Sequence, residues 1–135
     1  MGLVTGTIAG LASITPASGL VGPVEALIIG AVAGILCQEA VNFVRNIFNI
    51  DDTLDVFAVH GVGGIFGTVM IALFGQGSWT AQLGGLLIVG VFTLVVTFIL
   101  IKLVGLIFPL RVDAETESNG LDLSVHGERA YELNS

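Results

Sequence analysis

"LGGLLIVGVFTLVVTFILI" occupies residues 83–101 and contains no charged residue. A helix that crosses the hydrocarbon core of a bilayer needs about 20 mainly apolar residues. This run meets that length and continues past Lys102 to about Phe108. Three further runs precede it. Residues 56–75 carry one ionisable side chain, His60; residues 26–44 are apolar apart from Gln38, Glu39 and Asn42; residues 2–21 carry no charge. The breaks between runs hold Gly22-Pro23, Asn49 to Asp52 and Gly75 to Ser78, residues that end regular structure for backbone reasons. No apolar/polar alternation of the kind a membrane barrel needs is present. The expected fold is therefore an all-α membrane protein with four transmembrane helices, over about 2–21, 26–44, 56–75 and 83–108. They form a domain over residues 1–111, and a polar tail follows over 112–135.

Composition agrees with this reading. The chain has 135 residues, of which 11% are charged, and its mean hydropathy is +0.98. Soluble domains carry about 25% charge, so one soluble core of this length would leave too much apolar surface in water. Nineteen glycines fit close helix packing in lipid. Six of the eleven acids, from Asp113 to Glu132, lie beyond Arg111, so the net charge of −7 belongs mostly to the tail. Nothing basic suggests a nucleic-acid partner. Cys37 is the single cysteine, which excludes a disulfide framework or a cysteine metal cluster. The opening "MGLVTGTIAG" lacks both a positive n-region and a myristoylation serine or threonine, so no cleavable leader is expected. By composition the tail reads as a solvated, partly disordered end.

Orientation follows from the basic residues. Arg45 ends the second run, and Lys102 and Arg111 end the fourth. The positive-inside rule places that side in the cytoplasm. Both chain ends are then cytoplasmic.

Small residues recur four apart at Gly2, Gly6 and Gly10, at Gly30 and Gly34, and at Gly63 and Gly67. That spacing brings backbones together in lipid. It indicates helix contact, not cargo. Thr15-Pro16 lies inside the first run. Proline removes a backbone donor and frees a carbonyl about one turn earlier. Thr15 is placed to offer that carbonyl a hydroxyl, or the pair simply kinks the helix. Glu25 reads as an interfacial acid. Glu39 reads as an acid that snorkels to the cytoplasmic interface or pairs with a base.

"DVFAVHGVGGIFG" runs from Asp55 to Gly67 and places His60 about one turn into the third run. Ionisable groups at membrane depth are expensive and usually face a bundle interior or a cavity. A neutral imidazole offers one donor and one acceptor, which suits a small polar molecule crossing an apolar path. A core histidine satisfied by a backbone carbonyl fits the same spacing. "GVGGIFG" is not a phosphate loop, because it has no Walker lysine and Phe66 stands at the third glycine position. His60 and His126 are too far apart in topology to share a metal. No nucleophile-base pair suggests an enzyme, and no cofactor is expected.

Four stretches together resemble the ammonium transporter (Amt/Mep/Rh) family. They are "GLASITPASGLVGP", "ALIIGAVAG", "DDTLDVFAVHGVGGIFGT" and "GLDLSVHGERAY". Their order and spacing agree along nearly the whole chain, with the C-terminal part of an eleven-helix fold. The resemblance implies a homotrimer whose subunits each take up ammonium and pass it inward as ammonia through an apolar, histidine-lined pore. It implies that His60 is the second of two pore histidines, Val56 an apolar pore-lining residue, Asp55 an acid at the inner mouth and Thr15 a lumen-facing threonine. It implies that Gly120, Leu121, Asp122, His126, Gly127, Glu128 and Tyr131 belong to a regulatory cytoplasmic tail. A PII-class signal protein docking at that cytoplasmic face is a further implication. The first pore histidine, the outer aromatic recruitment site and a phenylalanine gate come from earlier helices of the family fold. The expectation is thus a partial chain that needs those helices. An ammonium sensor and a non-conducting truncated remnant are the alternative functions. Gln38-Glu39 departs from the family pattern, which is usually apolar there.

Overall fold

The computed structural model of the chain describes residues 2–128 and, among them, only helices, turns and loops. Helix α1 spans Gly2–Ile14 and runs into a tight 3-10 turn, Thr15–Ala17. Helix α2 spans Pro23–Asn46. A π-turn over Phe57–Val62 leads directly into α3, Gly63–Leu73. Helix α4 spans Trp79–Gly105. The short α5, Ala114–Asn119, and a second π-turn, Asp122–His126, complete the order. The structure divides into two compact units between Val91 and Phe92, within α4.

Helices α2 and α4, of 24 and 27 residues, are long and apolar enough to cross a membrane. The Gly2–Ala17 and Phe57–Leu73 segments are apolar but shorter. Local chemistry explains where each run stops. Pro16 lacks an N–H, so the first run leaves the α-helix at Ile14 instead of continuing to Val21. Pro23 opens α2 at its first position, where a missing donor costs nothing. Asn49 ends the stretch after α2 with a φ of 52°, a left-handed conformation that asparagine tolerates. The third run ends in a Schellman motif. Gly75 has a φ of 73°, the Gln76 amide donates to the Ile71 carbonyl at 2.9 Å, and the Gly75 amide donates to the Ala72 carbonyl at 3.1 Å. Helix α4 starts four residues before Leu83 because the Ser78 hydroxyl accepts from the Ala81 amide at 3.1 Å and caps the helix.

The first unit is held by three small-residue stripes. Buried positions on α1 and its following turn are Ala9, Ser13 and Ala17. On α2 they are Ile29, Ala33, Cys37, Val41 and Val44. On α3 they include Gly63, Gly67, Met70 and Ile71. The α1 and α2 series advance by three or four residues, which is one helix face, and so does α3 up to Met70, beyond which Ile71 and Ala72 are buried as well. Ala17, Ile29, Met70 and Ile71 form one core cluster, and Ala9, Cys37 and Val59 form another. A Cβ at Gly67 would collide with the Ser13 carbonyl oxygen, and one at Gly63 would lie 2.7 Å from the Ser13 hydroxyl. The paired glycines of α3 thus let α1 approach as the four-residue spacing implies.

In the second unit the described residues of the tail make local hydrogen bonds and one ion pair. The Asp113 carboxylate caps α5, accepting from the Thr116 amide at 2.8 Å and from its hydroxyl at 3.0 Å. Arg111 makes a bidentate pair with Glu117, with a closest approach of 2.8 Å.

Candidate functional site

The site begins at the turn before the third run. The Asp55 amide donates to the Asp52 carbonyl at 3.0 Å and closes the turn. Asp55 has a φ of 54°, so the chain reverses sharply before the helix starts. The Asp52 carboxylate reaches over the turn. Its Oδ1 accepts from the Val56 amide at 3.0 Å and its Oδ2 from the Phe57 amide at 2.8 Å. Two of the donors orphaned at a helix start are satisfied, and a negative charge sits at the positive end of the helix dipole. A cap of this kind contributes about 1 kcal/mol. The Arg45 guanidinium completes the arrangement. Its Nη2 lies 2.7 Å from Asp55 Oδ1 and donates to the Asp52 and Thr53 carbonyls, each at 3.3 Å.

The π-turn over Phe57–Val62 carries His60. Its wider turn is a local feature often found at functional sites. Ala58 and Val59 are buried, Val59 against Ala9 and Cys37. The next side chain, His60, is turned away from that seam and is exposed in this chain. His60 and Val56 together line two cavities. One, of about 700 Å³, is also bounded by Phe48, Ile50, Asp52 and Phe57. The other, of about 290 Å³, is also bounded by Thr5, Ile8, Leu54 and Val59. One imidazole thus borders both spaces, in walls that are otherwise mainly aliphatic and aromatic. The chemistry available there is a single donor-acceptor pair in an apolar lining.

The other sequence-derived residues fall elsewhere. Thr15 is exposed, and its hydroxyl donates to the Leu11 carbonyl at 2.7 Å. The bond goes one residue earlier than the Ala12 carbonyl that Pro16 leaves without its usual partner. Thr15 lines neither cavity. Asp55 adjoins Val56 in sequence, but its carboxylate faces Arg45. Glu39 is exposed, and the ion pairs among the described residues are Arg45–Asp55 and Arg111–Glu117. In the tail, Gly120 and Gly127 take left-handed φ values of 90° and 67° on either side of the Asp122–His126 turn. The Glu128 amide donates to the Asp122 carbonyl at 2.9 Å. Leu121 and His126 are exposed. Tyr131 lies outside the described residues. No group of three His, Cys, Asp or Glu among the described residues is placed to hold a metal ion.

Sequence reasoning missed Asp52 and Arg45. An aspartate before an apolar run is an ordinary capping signal, but Asp52 caps at four and five residues' distance. That reach exists only because Asp55 is left-handed, which the sequence does not announce.

Residues 1–131 match the family model described as Ammonium Transporter Family. The chain is 40% identical to "Ammonium transporter" of Bacillus subtilis (strain 168) over 98% of its own length and 37% of the relative's. It is 41% identical to "Ammonium transporter Amt1" of Archaeoglobus fulgidus, over 97% of this chain and 37% of that one. It is 36% identical to "Ammonium transporter 1" of the yeast Schizosaccharomyces pombe, over 97% and 31%. The chain spans about a third of the length of these relatives. No solved structure matches it.

Proposed function

The chain belongs to the ammonium transporter family, and from that membership we propose that it forms part of a membrane path that takes up ammonium and passes it inward as ammonia. The observation that carries this reading is His60, exposed at a π-turn and bordering, with Val56, two mainly apolar cavities. A cation at the bilayer centre costs at least a few kcal/mol. An apolar path therefore opposes ammonium as an ion. Losing a proton removes that cost, and an imidazole then offers ammonia the hydrogen bond it loses with water. Potassium has no proton to lose, so the same lining discriminates against it.

In this reading His60 and Val56 line the path, Thr15 faces the lumen from the turn after α1, and Asp55 stands at the inner mouth. Further helices of the transporter supply the facing walls, in line with the share of its relatives that the chain spans. The assembly is a homotrimer in the plasma membrane, with both ends of this chain in the cytoplasm. The segment from Gly120 to Tyr131 is regulatory, and a PII-class signal protein is the partner at that face.

The test is methylammonium flux into proteoliposomes. The chain is reconstituted alone, and together with the preceding helices of the Bacillus subtilis relative. Flux only in the second case is the expected result. Absence of flux in both would overturn the reading, and flux from the chain alone would overturn the shared-wall arrangement.

A further inference from the structure

Arg45 ends α2 and does not touch His60, yet it governs the segment that leads to it. One guanidinium nitrogen binds three groups of that segment: the Asp55 carboxylate at 2.7 Å and the Asp52 and Thr53 carbonyls at 3.3 Å. Thr53 and Leu54 between them are exposed. Asp55 holds a left-handed φ of 54°, a conformation that is strained for a non-glycine residue and persists where its surroundings fix it. The turn in turn aligns Asp52, both of whose carboxylate oxygens hold amides, those of Val56 and Phe57. Val56 and, one turn later, His60 line the same two cavities.

From this chain of contacts we infer that Arg45 is a positioning residue. It clamps the Asp52–Asp55 turn, the turn aims the Asp52 cap, and the cap fixes the helix start that presents Val56 and His60 to the cavities. A single Nη2 amino group holds the carboxylate and both carbonyls together. Lysine supplies the same charge from a more flexible stem. The consequence for transport rests on the proposed role of His60; the clamp itself does not.

The experiment is amide hydrogen exchange and imidazole NMR on the full chain in detergent micelles, for wild type, Arg45→Ala and Arg45→Lys. Arg45→Ala is expected to speed exchange at Val56 and Phe57 by about tenfold, the loss of one cap. The His60 ring signals shift, and the Ala9 and Ser13 amides on α1 keep their protection. Arg45→Lys gives intermediate exchange at the same two amides. Unchanged exchange at Val56 and Phe57 with unmoved His60 signals in Arg45→Ala overturns the inference. If Arg45→Ala loosens every amide, Arg45→Lys decides. An effect of Arg45→Lys confined to residues 52–60, or protection there restored to the wild-type level, supports the clamp, and loosening spread again over every amide removes it. Flux of Arg45→Ala and His60→Ala is measured in the completed transporter beside these data. Flux indifferent to His60→Ala sinks the transport reading and leaves the exchange result standing. Indifferent exchange sinks the clamp and leaves the His60 result standing.

Discussion

His60 was legible as a residue apart because it is the one ionisable group in an otherwise apolar run. Its surroundings were not. Whether a lone histidine sits in a core or a cavity depends on which side of the helix the buried stripe takes. Here Ala58 and Val59 take that stripe. Replacing His60 by alanine is expected to lower methylammonium flux through the completed transporter by about tenfold or more, the loss of one hydrogen bond in an apolar lining. Wild-type flux in His60→Ala proteoliposomes removes the ring from the path. Asp113 supports a second expectation at this scale. Hydrogen bonds from the Thr116 amide and then from its hydroxyl hold the Asp113 carboxyl below its ordinary range. A depressed folded value means that the ionised form stabilises α5. That contribution is complete above the ordinary aspartate range and is lost as pH falls through the depressed value. The Thr116 amide signal should stay constant down to that range and change sharply below it. Asp113→Asn should abolish the dependence.

At the scale of elements, the four apolar runs were readable from length and charge alone, and the glycines and prolines that bound them marked most of the breaks. Three details were not readable. The Ser78 cap lengthens α4 toward its start, the first run stops at Ile14 instead of merely kinking, and a π-turn interrupts the third. Each turns on a local hydrogen bond, made, missing or shifted by one residue, which periodicity averages away. The glycine series were read as helix contact: Gly63 and Gly67 make it closely and a Cβ at Gly10 would come to 3.9 Å of the Gly30 Cα, whereas a Cβ at Gly2, Gly6 or Gly34 meets nothing within 4 Å. Gly67 faces Ser13, where an added Cβ meets backbone, whereas Gly64 faces open space. Gly67→Ala should therefore destabilise the chain in detergent by about 1–3 kcal/mol, the usual cost of overpacking. Gly64→Ala should be near neutral. Equal unfolding midpoints for the two variants would remove the close crossing of α1 and α3.

At the scale of the whole molecule, family membership was legible because two separated motifs, around His60 and in the tail, occur in the right order. Neither reveals how the tail acts. Deletion beyond Arg111 is expected to leave membrane insertion unchanged and to alter transport or its regulation. Identical flux and regulation in the truncated protein would make the tail inert. Helix length carries a separate consequence. At about 1.5 Å per residue, α4 with its 27 residues rises roughly 40 Å, while the Gly2–Ala17 and Phe57–Leu73 segments hold at most 17 residues each and rise no more than about 26 Å. A hydrocarbon layer near 30 Å matches neither length, and a membrane protein meets such a mismatch by tilting or kinking a long helix and by lipid thinning or helix partners around a short one. Flux compared across vesicles of graded acyl-chain length is the measurement that reads whether bilayer thickness acts on this protein.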